Sequence, residues 1–123
     1  MYQAVIKFIF ICDLTYISGE FPLKQKIIVS ASKRLLFLPH AAKQMMRPDR
    51  MISVKEVKNA VFQGEVIEEY PDDKRGESCL VFHANDNRVI HVVCSPKNEY
   101  LSIITAYLPV AELWSSDFKT RRN

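Results

Sequence analysis

The spacing of apolar residues changes several times along the chain, and each change marks a different element. Residues 4–12 are apolar on both faces and rich in β-prone types, with Val5, Ile6, Phe8, Ile9, Phe10 and Ile11 interrupted only by Lys7. Ser18, Gly19 and Glu20 then form a turn signal, and Pro22 blocks regular continuation. A second apolar run, Ile27 to Val29, can pair back on the first. Residues 1–33 therefore predict an N-terminal extension, a hairpin or an added edge element. Its two-sided hydrophobicity requires burial against the core or a partner.

From residue 34 onward the pattern is that of one domain. Leu35 to Leu38 read as a short strand stopped by Pro39. A brief helix follows over 40–46 and ends before Pro48, which disfavours helical geometry at Arg47. The clearest local signal comes next. Ser53-Val54-Lys55-Glu56 is a capping box, flanked by Ile52 and Val57 at hydrophobic-staple positions. Val54, Val57, Ala60 and Val61 continue as one helical stripe, and Gly64 is expected to supply a left-handed stop.

Beyond Gly64 the period becomes that of strands. Four are expected, over 65–70, 78–84, 88–95 and 100–108. They are separated by a charged loop, by a turn at Asn85-Asp86-Asn87 whose residues tolerate positive φ, and by a turn near Pro96. Pro109 ends the last strand, and residues 110–119 read as a short closing helix. The fold class is α+β: two short helices packed on an antiparallel sheet of about four strands, with a short C-terminal helix. The expected domains are the extension over 1–33 and a single α+β domain over 34–123.

Composition adds limits. At 123 residues, with 48% hydrophobic and 25% charged residues, the chain fits one globular domain with a real core. The net charge of +3 divides unevenly. Residues 1–63 carry ten Lys/Arg against four Asp/Glu, and residues 64–123 carry seven against ten. A basic half and an acidic half suit RNA on one side or a partner of mixed charge. The longest apolar run has nine residues, whereas a spanning helix needs roughly 20. With no basic residue before that run and no small-residue cleavage site after it, a cytoplasmic protein is expected.

Three cysteines, Cys12, Cys79 and Cys94, without a C-x-x-C pair argue against a disulfide framework or a zinc ribbon. On strands, His91 and Cys94 fall on opposite faces, and His83 and Cys79 lie about 13 Å apart, so neither pair can chelate one ion. No G-x-S-x-G and no G-x-x-x-x-G-K occurs. Glu68, Glu69, Asp72 and Asp73 read as a solvated strand edge and loop. No metal and no cofactor is expected.

Alternation along the third expected strand puts Ile90, Val92 and Cys94 toward the helices and His91 on the opposite, open face. Leu80 and Phe82 are expected in the core, leaving Cys79, Val81 and His83 on the open side. His83, His91, Thr105 and Tyr107 would then share that face. Arg88 has the parity of Ile90 and points toward the helices, with a stem long enough to curl around the sheet edge.

This set suits one chemistry. Cleavage of RNA through its own 2′-OH needs a base, an acid and cations on the crowded phosphate, with no metal. Imidazole titrates near neutrality, and guanidinium offers a bidentate fork. His40, Arg50, Arg88, His91 and Tyr107 can supply such a site. Each also has a structural use: His40 at a helix end, His91 packed on the sheet, Arg50 paired with a carboxylate.

Segments in order along residues 36–122 resemble a small bacterial family classed as a domain of unknown function. They are P-H-A-A-K-Q-M (39–45), R-M-I-S-V-K-E-V (50–57), G-E-V-I-E-E-Y-P-D-D (64–73) and S-C-L-V-F (78–82). The series continues with R-V-I-H-V-V (88–93), I-I-T-A-Y-L-P (103–109), Trp114 and F-K-T-R-R (118–122). The first 33 residues have no counterpart, and Phe82-His83-Ala84 stands where that family often has glycine. The family is similar in layout to the RelE/ParE and BrnT toxins of bacterial toxin–antitoxin systems, a RelE/barnase-like arrangement. The resemblance implies an endoribonuclease toxin with RNA as substrate and a cognate antitoxin protein as partner. His40, Arg88, His91, Thr105 and Tyr107 would be catalytic, and Arg50, Lys119 and Arg121 would hold the substrate. The alternative is a non-catalytic module that binds protein or nucleic acid through the sheet.

Overall fold

The computed structural model describes residues 21–123. The expected apolar strand over 4–12 and the turn at 18–20 lie outside the described residues.

Three helices and five strands follow in the order α1 (Leu23–Lys33), β1 (Leu35–Phe37), α2 (Pro39–Met45), α3 (Val54–Gln63), β2 (Glu65–Tyr70), β3 (Ser78–Ala84), β4 (Val89–Pro96) and β5 (Leu101–Tyr107). They form one sheet in the order β1-β5-β4-β3-β2. Strands β2 to β5 are antiparallel neighbours, as their short connections require. β1 adds a fifth, parallel edge, with Leu35 opposite Leu101 and Phe37 opposite Ile103.

α1 overturns the hairpin expectation for Ile27 to Val29. Three β-branched or apolar residues in a row imitate a strand, but Leu23, Ile27 and Ala31 recur every four residues and bury one helical face. Ser30, buried beside them, donates to the Lys97 carbonyl at 2.6 Å and ties α1 to the β4–β5 turn. The compact unit therefore begins before residue 34: Ile27 is part of the same core as Val57, Val92 and Ile103.

α3 has the capping box read from sequence. The Glu56 N–H donates to Ser53 Oγ at 3.0 Å, and the Ser53 N–H donates to Glu56 Oε1 at 3.1 Å. Val57, Ala60 and Val61 are fully buried, but Val54 at the first turn is exposed. Gly64 ends the helix for a different reason from the one expected. Its φ of −81° is open to any residue. A Cβ there would lie 2.5 Å from the carbonyl oxygens of both Ala60 and Phe82, so glycine is required for close approach of backbones.

Two further corrections concern turns. Asn85 does not adopt positive φ; its Oδ1 accepts from the N–H groups of Asn87 and Arg88 at 2.8 and 2.9 Å, an Asx turn. Residues 110–119 form no helix but a run of turns that carries Trp114, 2% exposed, onto the sheet.

The register settles the faces. Cys79 pairs with Cys94, Val81 with Val92 and His83 with Ile90, so Cys79 and Val81 line the helix-covered core and His83 shares their side. Leu80 and Phe82 instead pair with Val93 and His91 on the other face. The expectation for β3 was inverted because both of its faces are apolar and both are covered. A register shift after Val93 in β4 lets Ile103 and Leu101 join Ala106 in the core.

Candidate functional site

The face of the sheet away from the helices collects polar and aromatic side chains from four strands. Glu65, Glu68 and Tyr70 come from β2, Phe82 from β3, His91 from β4, and Thr105 and Tyr107 from β5. Residues 110–123 fold back over them. Trp114 pairs with Arg121 in an isolated bridge, and Phe118 turns the chain with a φ of +62°.

His91 sits at the centre and has no exposed surface. Its Nε2 lies 2.8 Å from the Phe118 carbonyl, which only accepts, so Nε2 carries the proton. Nδ1 is left as an acceptor, and the Tyr107 hydroxyl donates to it at 3.2 Å. Both ring nitrogens are thereby engaged in the neutral tautomer. Trp114 meets the imidazole edge-on at 4.5 Å between ring centres, and Tyr107 and Phe82 flank it at 5.3 and 6.3 Å. Burial holds the His91 pKa below the ordinary imidazole value of 6.5, although the Phe118 carbonyl and the Glu68 charge pull the other way.

The rim of this face is an ion-pair network. Arg121 forks onto Glu68 at 2.8 and 3.1 Å and stacks over Trp114 at 4.7 Å. Tyr70 donates its hydroxyl to the same carboxylate. Desolvation works to raise the Glu68 pKa, but the bonds from Arg121 and Tyr70 outweigh it and hold the carboxyl below its usual range. Burial first, and the Glu68 bond second, push the Tyr70 phenol up to about 12. Lys119 pairs with Glu65 at 3.0 Å and lies over the Phe82 ring at 5.0 Å.

The other expected site residues stand elsewhere. Arg88 reaches the helix side and is spent there. Its Nε and Nη2 meet Glu56 at 3.0 and 2.7 Å, and its Nη1 and Nη2 donate to the carbonyls of Arg50 and Met51 at 2.6 and 3.1 Å. Arg50 is half-buried in the α2–α3 loop, where Nη1 contacts Gln44 at 3.4 Å and Nε lies 4.0 Å from Asp49. His40 is exposed at the start of α2. His91, Thr105, Tyr107, Lys119 and Arg121 are thus gathered on one face, while Arg50, Arg88 and His40 lie across the sheet from them.

Sequence reading missed Glu68, Tyr70 and Phe118 as members of this cluster. Glu68 and Tyr70 carried a usable signal, since residues two apart on a strand share a face. The Phe118 carbonyl carried none, because a backbone acceptor has no identity in the sequence. No group of three or more His, Cys, Asp and Glu side chains able to hold a metal ion occurs among the described residues. None of the described helices is long and apolar enough to cross a membrane.

The family model described as "Domain of unknown function (DUF4258)" matches residues 37–108. That span runs from the end of β1 through β5 and stops before the segment that covers His91. No curated protein and no solved structure matches the chain.

Proposed function

The chain belongs to the DUF4258 family, and on that premise we propose that it is a non-catalytic protein-binding module. The observation that carries this reading is the state of His91. A general acid or base must come within hydrogen-bond reach of its substrate. His91 has no exposed surface, and both its nitrogens are already bonded inside the fold. The guanidinium groups that would neutralise a phosphate are likewise committed, Arg88 to Glu56 and Arg121 to Glu68. On the helix side, where Arg88 bonds the Arg50 and Met51 carbonyls and Glu56, the exposed apolar side chains Met46, Met51 and Val54 suit a protein partner.

A second reading has one observation in its favour. His91, Tyr107, Lys119 and Arg121 do converge on a single sheet face. Displacement of residues 110–123 would uncover the His91 imidazole and the Tyr107 phenol, with Lys119 and Arg121 carried on the moving segment itself. The chain would then be a metal-independent endoribonuclease of toxin type, held in check by an antitoxin protein.

The experiment that separates the two incubates the purified full chain with total RNA in excess chelator and analyses the ends. The binding module leaves the RNA intact, and strong induction leaves growth normal. Cleavage to cyclic-phosphate ends, lost in a folded His91→Ala variant, would overturn the binding reading in favour of the nuclease.

A further inference from the structure

An apolar groove opens on the helix side of the molecule, between β1, α2 and the start of α3. It is lined by Phe37, Ala42, Met45, Met46, Ile52 and Val54 and encloses about 290 Å³. That volume falls just below the range for small-molecule pockets, roughly 300–1,000 Å³. Met45 and Ile52 form its buried floor, while two lining side chains stay in water: Met46 is 71% exposed and Val54 56%.

Two of the four methionines of the chain, Met45 and Met46, line it, and Met51 immediately precedes the lining residue Ile52. Unbranched thioether side chains repack readily around varied apolar shapes, which suits a binding surface. Met51 is 64% exposed and holds a φ of +45°, a left-handed backbone region that a side-chain-bearing residue occupies only under strain. The Arg88 bonds to the Arg50 and Met51 carbonyls fix that loop, and Arg88 is in turn anchored on Glu56. The fold therefore holds exposed methionine beside the groove in a strained conformation.

The charge around the groove is one-sided. Residues 37–63 carry five Lys/Arg, at 43, 47, 50, 55 and 58, against two carboxylates, Asp49 and Glu56. Asp49 is taken by Arg47 at 3.0 Å, and Glu56 by Arg88 and the Ser53 cap. Lys43, Lys55 and Lys58 are exposed and form no salt bridge among the described residues.

We propose that this groove docks an acidic amphipathic segment of a protein partner, its apolar side chains seated among the methionines and its Asp or Glu residues facing Lys43, Lys55 and Lys58. Helix-in-groove recognition uses such anchors at i, i+3 or i+4, and i+7. Charge complementarity selects this occupant over two others. A second copy meeting through the same face would set one basic rim against another. In the chain's own residues 1–20 both acids, Asp13 and Glu20, follow the apolar run 4–12, whose one charged side chain is Lys7, so no carboxylate is interspersed among its apolar side chains. The proposal rests on the binding reading above and adds the chemistry of the partner.

The test titrates the full chain into three labelled synthetic peptides of about 16 residues. One has leucine at helical i, i+3, i+4 and i+7 spacing with glutamate between, the second has lysine in place of glutamate, and the third is a scramble of the first. The acidic amphipathic peptide should bind at least about tenfold more tightly than either control, and more weakly as salt rises. Met46→Glu should weaken it by about tenfold or more with the thermal midpoint unchanged. Lys43→Glu combined with Lys55→Glu should reverse the preference toward the basic peptide. Equal binding of acidic and basic peptides, or no binding by the folded chain, would overturn the proposal. Dimerisation abolished by Met46→Glu would assign the groove to a second copy, and a midpoint lowered by several degrees in that variant would assign it to the chain itself; either result overturns the proposal. RNA cleavage that needs His91 would overturn the binding reading without touching the peptide result, so the two failures are distinct.

Discussion

Arg88 joins the start of β4 to the start of α3 through Glu56, with Nη2 2.7 Å from Oε1 and Nε 3.0 Å from Oε2. The same carboxylate closes the capping box on Ser53 and accepts from Asn85 Nδ2 at 3.3 Å. One residue thus satisfies a helix N-terminus and fastens it to the sheet. The bond from Arg88 is the chief reason that the Glu56 carboxyl stays below its ordinary pKa.

Arg88→Met should lower stability by about 2 kcal/mol, because it leaves two carbonyls and a part-buried carboxylate short of donors. Ser53→Ala, which removes only the cap, should cost about 1 kcal/mol. A double-mutant cycle of Arg88→Met with Glu56→Gln, read by urea unfolding, should give a coupling of about 1–2 kcal/mol. Additive effects would show that the pair is a surface contact without structural weight.

Stability should depend on pH through His91. Its folded-state pKa is depressed by burial, so the unfolded chain binds the proton more readily. The contribution is therefore constant above the unfolded value of about 6.5 and is lost as pH falls from there toward the folded pKa. The urea midpoint should drop as pH falls below about 6.5, and a His91→Gln variant should lack that component. An imidazole signal that titrates at or above 6.5 in the folded protein would contradict the sealed neutral ring.

Gly64→Ala should destabilise by about 2 kcal/mol or more, although the φ of this residue suits alanine. The added methyl meets two backbone oxygens at 2.5 Å, and backbone cannot yield as a flexible side chain can. Thermal unfolding measures the effect. A neutral or stabilising result would mean that α3 and β3 separate more easily than their packing indicates.

Trp114→Ala should cost about 3 kcal/mol, because it removes a buried ring that covers His91 and supports Arg121. The loss should fall on the second face. Amide exchange should accelerate at Phe118 and along β5 while α3 keeps its protection. Uniform loss of protection would show that residues 110–123 and the helical core unfold as one unit.

Much of the fold was legible because its signals are local. The Ser53–Glu56 box, the period-two strands and their proline and asparagine boundaries each depend on neighbours within a few residues. α1 was misread because Ile27, Ile28 and Val29 favour strands intrinsically, and only burial of Leu23, Ile27 and Ala31 against other elements makes the helix. The faces of β3 were misassigned because residues 110–123 cover the second face, and no strand pattern reports a cover supplied from elsewhere. Within the site, alternation correctly united His91, Thr105 and Tyr107, and parity sent Arg88 to the helices.

By itself the sequence determined the class of the domain, the identity of most elements and the chemistry available at each position. Only tertiary structure decided whether that chemistry is exposed. An imidazole or a guanidinium becomes a reagent or a strut according to which carbonyls, carboxylates and rings surround it. Those neighbours are distant along the chain, as when Arg121 meets Glu68, 53 positions away. Side-chain type is written in the chain, whereas solvation and hydrogen-bond partners are properties of the assembled packing.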